Sequence, residues 1–330
     1  MSTDTYYAVQ VEQYGSPDVL VWGPIDLPPL APGDIRIRTI AAAVNHTDLE
    51  IRAGNWPIRK DKPFPYVPGV EVVGVVEEIG DVVSDIKVGD RVITMMQGLG
   101  GVRAARAGGY ATHVTVSAAD AARLPIGVDS LAMAAIGLSG VTALEGLRRL
   151  GDIHGRTVLV SGAAGGVGSS AVSIARALGA TVTAVVSRAE QVKFVRDLGA
   201  ETVLIASSNG SAAIPVGRID GVLDTVGAAL FLSYVPALKP GGIVSVVGAV
   251  SGGDIGFDLW ELIRPITLTG YSSENLTGDS LRQDVAELTT WLLEGSIATP
   301  SWTEFPLSEA AKAHALLEGK GVKGRVLLLP

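Results

Sequence analysis

The stretch TVLVSGAAGGVGSSAVSIARALGATVTAVVSR, Thr157 to Arg188, restricts the fold of this chain more than any other part of it. Val158 to Val160 is a short, largely β-branched run suited to a strand buried on both faces, and it leads straight into the turn Gly162-Ala163-Ala164-Gly165-Gly166-Val167-Gly168. Ala171, Val172, Ile174, Ala175 and Leu178 then recur at helical spacing, Gly179 stands where a helix stops, and Thr181 to Val186 reads as a second strand. Strand, glycine turn, helix and strand in this order predict a dinucleotide-binding βαβ unit.

The turn carries the pattern G-x-G-x-x-G as Ala163-x-Gly165-x-x-Gly168, with the next smallest residue in the first place. Absence of a side chain at Gly165 lets the backbone approach a pyrophosphate, and Gly168 lets the helix pack closely on the strand. Gly165, Gly166 and Val167 therefore form the expected phosphate cradle, aided by the free N–H groups of the helix start. An NAD site would place a carboxylate at the end of the second strand, but this chain has Ser187-Arg188 there. A guanidinium and a hydroxyl suit a 2′-phosphate, with Lys193 one turn on as a further charge, so the expected cofactor is NADP(H). The alternative is that Arg188 merely caps a surface turn.

At 330 residues the chain exceeds one ordinary core and predicts two domains. Its 47% hydrophobic content with few aromatics suits parallel sheet, and a net charge of −8 argues against nucleic acid or an anionic membrane as partner. No apolar run is read as long enough to span a membrane and the N-terminus lacks signal-peptide character, so a cytoplasmic location is the default expectation. Cysteine is absent, which removes disulfides, thiolate nucleophiles and cysteine-ligated metals.

From Tyr7 to about Pro125, short alternating strands broken by Gly and Pro predict a mainly antiparallel β domain. Beyond Asp129 strands alternate with helices: a helix near Leu131 to Leu150, the βαβ unit, and strands Thr202 to Ile205, Ile219 to Asp224 and Ile243 to Gly248. A helix from Asp279 to Leu293 follows, and the strand Arg325 to Leu329 is expected to rejoin the first domain.

The order of motifs resembles that of the zinc-free quinone oxidoreductase type of medium-chain dehydrogenase/reductase along nearly the whole chain. Matching residues are Val44-Asn45-His46-Thr47-Asp48 with Arg52 and Gly54, Pro68-Gly69-Val70-Glu71 with Gly74, Val88 to Val92, and Gly109-Tyr110-Ala111. They continue with Gly140-Val141-Thr142-Ala143, the AAGGVG turn, Asp220 to Gly227 and Leu238 to Gly242. The resemblance implies an α/β chain of two domains. Residues 1–127, completed by 272–330, would form a GroES-like, mainly β catalytic domain, and 128–271 a Rossmann domain with a doubly wound parallel sheet. It also implies a homodimer through the Rossmann sheet edges and cofactor contacts from Thr142, Val247, Gly248, Ala249, Tyr271 and Ser272. Asn45 matches an asparagine near the nicotinamide, where its amide can donate to cofactor or substrate; the alternative is a turn cap.

In the zinc branch of the same superfamily a Cys-His-Thr-Asp motif and a Gly-His-Glu motif supply ligands. Here those stretches read Asn45-His46-Thr47-Asp48 and Gly69-Val70-Glu71, so no metal is expected, and His46 with Glu71 reads as a structural pair. Loss of the Lewis acid favours an acceptor that is already electrophilic: a quinone, a 2-alkenone or a 2-alkenal. Asn45, Asp48 and Tyr110 are the candidate catalytic residues, with an Asp48–Arg52 ion pair as the plainer reading of that spacing. Glu50 and Trp56 stand where quinone oxidoreductases carry tyrosines, which suggests an apolar pocket around Trp56, Tyr66 and Tyr110. Two alternatives stay open. One is an enoyl thioester reductase using Arg103 and Arg106 to meet an anionic arm; the other is an NADPH-binding protein with little turnover.

Overall fold

A computed structural model describes residues 5–56, 64–101, 106–207, 210–319 and 322–330. The strands of its first part are β1 (Tyr6–Gln10), β2 (Val21–Ile25), β3 (Asp34–Ala43), β4 (Glu71–Ile79), β5 (Arg91–Met95), β6 (His113–Ser117) and β7 (Ala121–Arg123), with helix α1 (His46–Ala53) after β3. Then come α2 (Ser130–Arg148), β8 (Thr157–Val160), α3 (Gly166–Ala177), β9 (Thr181–Val186), α4 (Val192–Asp197) and β10 (Thr202–Ile205). They are followed by β11 (Ile219–Asp224), α5 (Ala228–Tyr234), β12 (Leu238–Val246) and β13 (Thr267–Gly270). The chain ends with α6 (Gly278–Glu294), β14 (Trp302–Pro306), α7 (Ala310–Glu318) and β15 (Arg325–Leu329).

Two units result. One comprises Met1–Leu138, Glu274–Leu293 and Ser301–Pro330; the other comprises Ser139–Ser273 and Glu294–Pro300. The first division falls inside α2, eleven residues beyond the boundary read from the sequence at 127/128. Just before it, Glu71 Oε1 accepts the Leu138 N–H at 2.6 Å, and a Cβ on Gly137 would collide with the same oxygen. The first half of α2 is thus fastened to β4. Residues 294–300 go with the second unit, where Ala298 N–H donates to Ser173 Oγ at 2.7 Å.

In the first unit the strands run β14-β15-β3-β4-β5-β7, with β6 also on β3 and a separate β1-β2 pair. All of these pairings are antiparallel except β14 with β15. Alternation turns Ile35 and Ile37 of β3, Val72 and Val76 of β4, and Val114 and Val116 of β6 into one core. The last strand, β15, lies on β3 as expected, with Leu327 opposite Ala43 and Leu328 opposite Ala42. That register also brings Arg325 to the start of α1.

The second unit is a parallel sheet in the order β10-β9-β8-β11-β12-β13. Counted from β8 this is 3-2-1-4-5-6, the doubly wound dinucleotide fold, whose switch point lies between β8 and β11. Leu159, Val185, Val222 and Val244 fill its interior with Phe231 and Tyr234 of α5. One sequence expectation is corrected here: α2 has the length and apolarity of a membrane span, with mean hydropathy 1.4. However, 78% of that window is buried inside the protein, as in a core helix.

Candidate active site

At the carboxyl end of β8 the chain turns sharply enough that Gly162 adopts φ +57°, and a Cβ there would lie 2.5 Å from Thr225 Oγ1. Gly168 is packed tighter still, since its Cβ would overlap the Gly162 carbonyl. Gly165 is different. It is exposed, its φ of −79° is open to any residue, and a Cβ would come no nearer than 3.3 Å to Gly162 O. Protein packing therefore explains Gly168 and leaves Gly165 open toward solvent at the N-cap of α3. Gly165, the N-cap, has no side chain with which to cap this helix, so its first N–H groups receive no bond from the N-cap residue. An uncapped, side-chain-free helix start at the switch point fits a pyrophosphate.

Neighbouring loops are locked onto this turn. Asp224, fully buried, accepts from Ser161 Oγ (2.6 Å), Val226 N–H (3.0 Å), Gly227 N–H (3.1 Å) and Tyr234 Oη. Val247 N–H donates to Asp224 O at 2.8 Å, and a Cβ on Gly248 would sit 2.9 Å from Thr225 O. Tyr271 N–H bonds Val246 O at 3.1 Å, and its ring lies 6.0 Å from the Arg149 guanidinium carbon. Thus Gly165 to Val167, Val247 to Ala249, Tyr271 and exposed Ser272 all fall at the carboxyl edge of one sheet. Thr142 is buried on α2. The Asp224 cluster had no role in the sequence reading, although its Asp followed by Thr-Val-Gly at a strand end was visible there.

At the end of β9, Gln191 Oε1 accepts from Ser187 N–H, Ser187 Oγ and Arg188 N–H, at 3.1 to 3.2 Å. In this arrangement the Ser187 hydroxyl donates to Gln191, a 3.2 Å bond that a phosphate acceptor would have to displace. Arg188 remains about 38% exposed, 3.2 Å from Glu190. Lys193 pairs with Asp197 at 2.7 Å on the surface. A 2′-phosphate would compete with exposed carboxylates for both cations.

In the first unit, Asn45 starts α1 and is 6% exposed. Its Oδ1 accepts from Arg325 Nη2 at 2.9 Å; its Nδ2 donates to Glu71 Oε2 at 3.1 Å and to Ala43 O at 3.3 Å. Arg325 also reaches Glu71 Oε2 at 3.2 Å. Burial pushes the Glu71 carboxyl up, while the Arg325 charge opposes that rise. Both amide protons are engaged, but the Ala43 bond is long enough to exchange for a better acceptor. Arg325 was missed in the sequence reading; a charged residue opening an apolar strand was the available signal.

Asp48 and Tyr110 lie deeper, at 1% and 0% exposure, so neither presents an atom to solvent. Asp48 Oδ2 accepts Asn45 N–H and Oδ1 accepts Val70 N–H, both at 2.9 Å, and burial raises its pKa to about 7. Tyr110 bonds Asp48 and, at 3.0 Å, His314 Nε2; burial keeps its phenol well above its ordinary value. The expected Asp48–Arg52 ion pair is not formed: Arg52 pairs with Glu318 and meets His314 Nδ1 at 3.2 Å. His46 is exposed, whereas the oxygens of buried Glu71 accept from Arg325, Asn45 and Leu138. Trp56 Nε1 donates to Glu274 at 2.6 Å, and Tyr66 is buried. Arg106 lies 3.5 Å from Asp34, and Arg103 lies outside the described residues.

Residues 31–126 match the family described as alcohol dehydrogenase GroES-like domain, and residues 166–294 the one described as zinc-binding dehydrogenase. Zinc does not fit the residues present. Asn45 offers an amide already bonded to Arg325, Val70 has no lone pair, and no cysteine exists. Among the described residues no three His, Asp or Glu side chains converge as a metal site. The chain is 31% identical to a 2-haloacrylate reductase of Burkholderia sp, with 98% of each covered, and 31% identical to a quinone oxidoreductase of Pseudomonas aeruginosa, covering 98% and 99%. Among solved structures, the Escherichia coli quinone oxidoreductase complexed with NADPH aligns with TM-score 0.86 at 28% identity, covering 98% of this chain and all of that one.

Proposed function

Because this chain belongs to the quinone oxidoreductase-like family of medium-chain dehydrogenases/reductases, and is thereby an oxidoreductase, we propose that it is an NADPH-dependent, zinc-independent reductase of an electrophilic acceptor: a quinone, a 2-alkenone or a 2-alkenal. The observation that carries this reading is the uncapped α3 start, with open Gly165, at the switch point of a parallel sheet whose β9 ends in an arginine. Gly165, Gly166 and Val167 would hold the pyrophosphate, Arg188 with Ser187 and Lys193 the 2′-phosphate end, and Thr142, Val247, Gly248, Ala249, Tyr271 and Ser272 the remainder. NADPH bound there supplies a hydride.

On the acceptor, hydride adds to the β-carbon of the alkene, the π electrons move to the conjugated oxygen, and a proton from solvent completes the reduction. Asn45 is the group we assign to that oxygen. Arg325 on its Oδ1 draws electron density from the amide and sharpens Nδ2–H as a donor, at the expense of the long bond to Ala43. Asp48 and Tyr110 hold the site rather than touch the acceptor. The reading of an enoyl thioester arm loses support because Arg106 faces Asp34 and Asp120. The relative named for 2-haloacrylate reduction favours an activated alkene. The test is NADPH oxidation with an alkenone and a quinone in parallel; silence with both would leave a binding protein.

We also propose a homodimer through the edge strand β13. Trp260 (75% exposed), Leu259 and Ile263 lead into it, more exposed apolar surface than an isolated sheet edge tolerates well. Light scattering of the protein and of Trp260→Lys tests it: a dimer that becomes monomer supports the proposal, and a monomeric parent refutes it.

A further inference from the structure

Four buried groups outside the amide site form a chain in the first unit: Arg52, His314, Tyr110 and Asp48, exposed by 2%, 0%, 0% and 1%. Distances alone leave the proton order open, but chemistry fixes it. A guanidinium has donors and no lone pair to give, so His314 Nδ1, 3.2 Å from Arg52 Nη1, must be the bare acceptor. Burial and the Arg52 charge together push the His314 pKa down to about 3, so the ring is neutral and its one proton sits on Nε2. That N–H points at Tyr110 Oη, 3.0 Å away, which must accept it. The phenol proton is then left for the Asp48 carboxylate once that group is ionised, above about pH 7. Arg52 is itself held by Gly15 O at 3.1 Å and by Glu318.

We propose that His314 is a positioning residue for the Asn45 site, acting through a one-way chain in which Arg52 donates to His314, His314 to Tyr110 and Tyr110 to Asp48. Assigning Asn45 to the acceptor oxygen rests on the function proposed above; the direction of the chain does not. Asp48 receives the last donor while its two oxygens hold the backbone N–H groups of Asn45 and Val70. These backbones precede α1 and β4, and carry the amide and, next in sequence to Val70, the Glu71 carboxylate that bonds it. His314, 269 positions from Asn45 in sequence, thereby sets the acceptor balance of the residue that clamps both loops. Arg52 cannot release a proton, so the chain orders dipoles and does not conduct protons to solvent.

His314→Gln keeps one acceptor and one donor on a side chain of similar reach; His314→Leu removes both. In cofactor-free protein labelled at nitrogen, the His314 ring should stay neutral with its proton on Nε2 between pH 5 and 8. A proton on Nδ1, or an imidazolium, would overturn the chain. The Asn45 side-chain amide signals should move in His314→Leu and Tyr110→Phe and return to the parent position in His314→Gln. Identical signals in all variants would overturn the positioning role, whether or not the parent protein reduces an alkenone. With NADPH and an alkenone, His314→Leu should lower kcat about tenfold at unchanged KM for NADPH, the size expected when a buried acceptor loses a donor, and His314→Gln should recover to within about threefold. Equal losses in both variants, with the amide signals unmoved, would mean that His314 only fills space. Silence of the parent with both acceptors would sink the reductase reading, while the nitrogen signals would still decide the chain.

Discussion

Arg325 reaches Asn45 across 280 residues of sequence, its Nη2 2.9 Å from the amide oxygen and 3.2 Å from Glu71 Oε2. The pairing exists because β15 returns to β3 and places its first residue beside the start of α1. Arg325→Met strands the Glu71 carboxylate, at 0% exposure, without its cation. A loss of about 3–5 kcal/mol in chemical denaturation is expected. Adding Glu71→Gln, which removes the orphaned charge, should recover most of it. Additive losses in the double variant would contradict the coupling.

Two glycines of one turn should behave oppositely on gaining a methyl group. Gly168→Ala drives a Cβ into the Gly162 carbonyl and should lower the melting temperature, whatever its effect on binding. Gly165→Ala meets the Gly162 carbonyl at 3.3 Å, a tight contact that a small shift relieves, and should melt much closer to the parent than Gly168→Ala, yet bind NADPH at least about tenfold more weakly because the new methyl occupies the approach of the pyrophosphate. Melting curves and fluorescence titration of NADPH check the pair. Unchanged NADPH affinity in Gly165→Ala would remove the phosphate from this turn.

Arg188→Ala should weaken NADPH by about ten- to a hundredfold, the worth of charge-assisted bonds to a phosphate, while leaving NADH affinity nearly as it was. Competition from Glu190 sets the result toward the lower end. Equal losses for both cofactors would make Arg188 a structural cap and leave NADP preference without a residue.

His314 and Asp48 pull stability in opposite directions with pH. His314 stays neutral down to about pH 3 in the fold and titrates near 6.5 when unfolded, so its contribution is present above 6.5 and lost as pH falls toward 3. Asp48 keeps its proton up to about 7 in the fold against 3.8 unfolded, so its contribution is present below 3.8 and lost as pH rises toward 7. Each slope is about 1.4 kcal/mol per pH unit, and between pH 4 and 6.5 they offset. Asp48→Asn should therefore lose stability on acidification in that window, and His314→Gln should gain it. Parallel pH curves for the parent and both variants would contradict the assignment.

Much of the fold was legible because its signals are local. Glycine spacing, β-branched runs and helical periodicity lie within a few dozen residues from Thr157 to Arg188, and the structure returns strand, turn, helix and strand there. The contact that fastens the first half of α2 to β4 was not legible, since Glu71 lies far back in the sequence from Leu138. The same holds for the amide site. Asn45 could be singled out, but its partners Arg325 and Glu71, and the chain ending at His314, arise from strand pairing across the domain. Local spacing favoured Asp48 with Arg52 as an ion pair; a backbone clamp on one side and Glu318 on the other outcompete it.

The most direct test is the rate of NADPH oxidation by purified protein with a 2-alkenone and with a simple quinone, each repeated with NADH. The account predicts turnover of at least one acceptor, with NADPH favoured over NADH and no loss after treatment with a chelator. No turnover of either acceptor, or activity that a chelator abolishes and zinc restores, would contradict it.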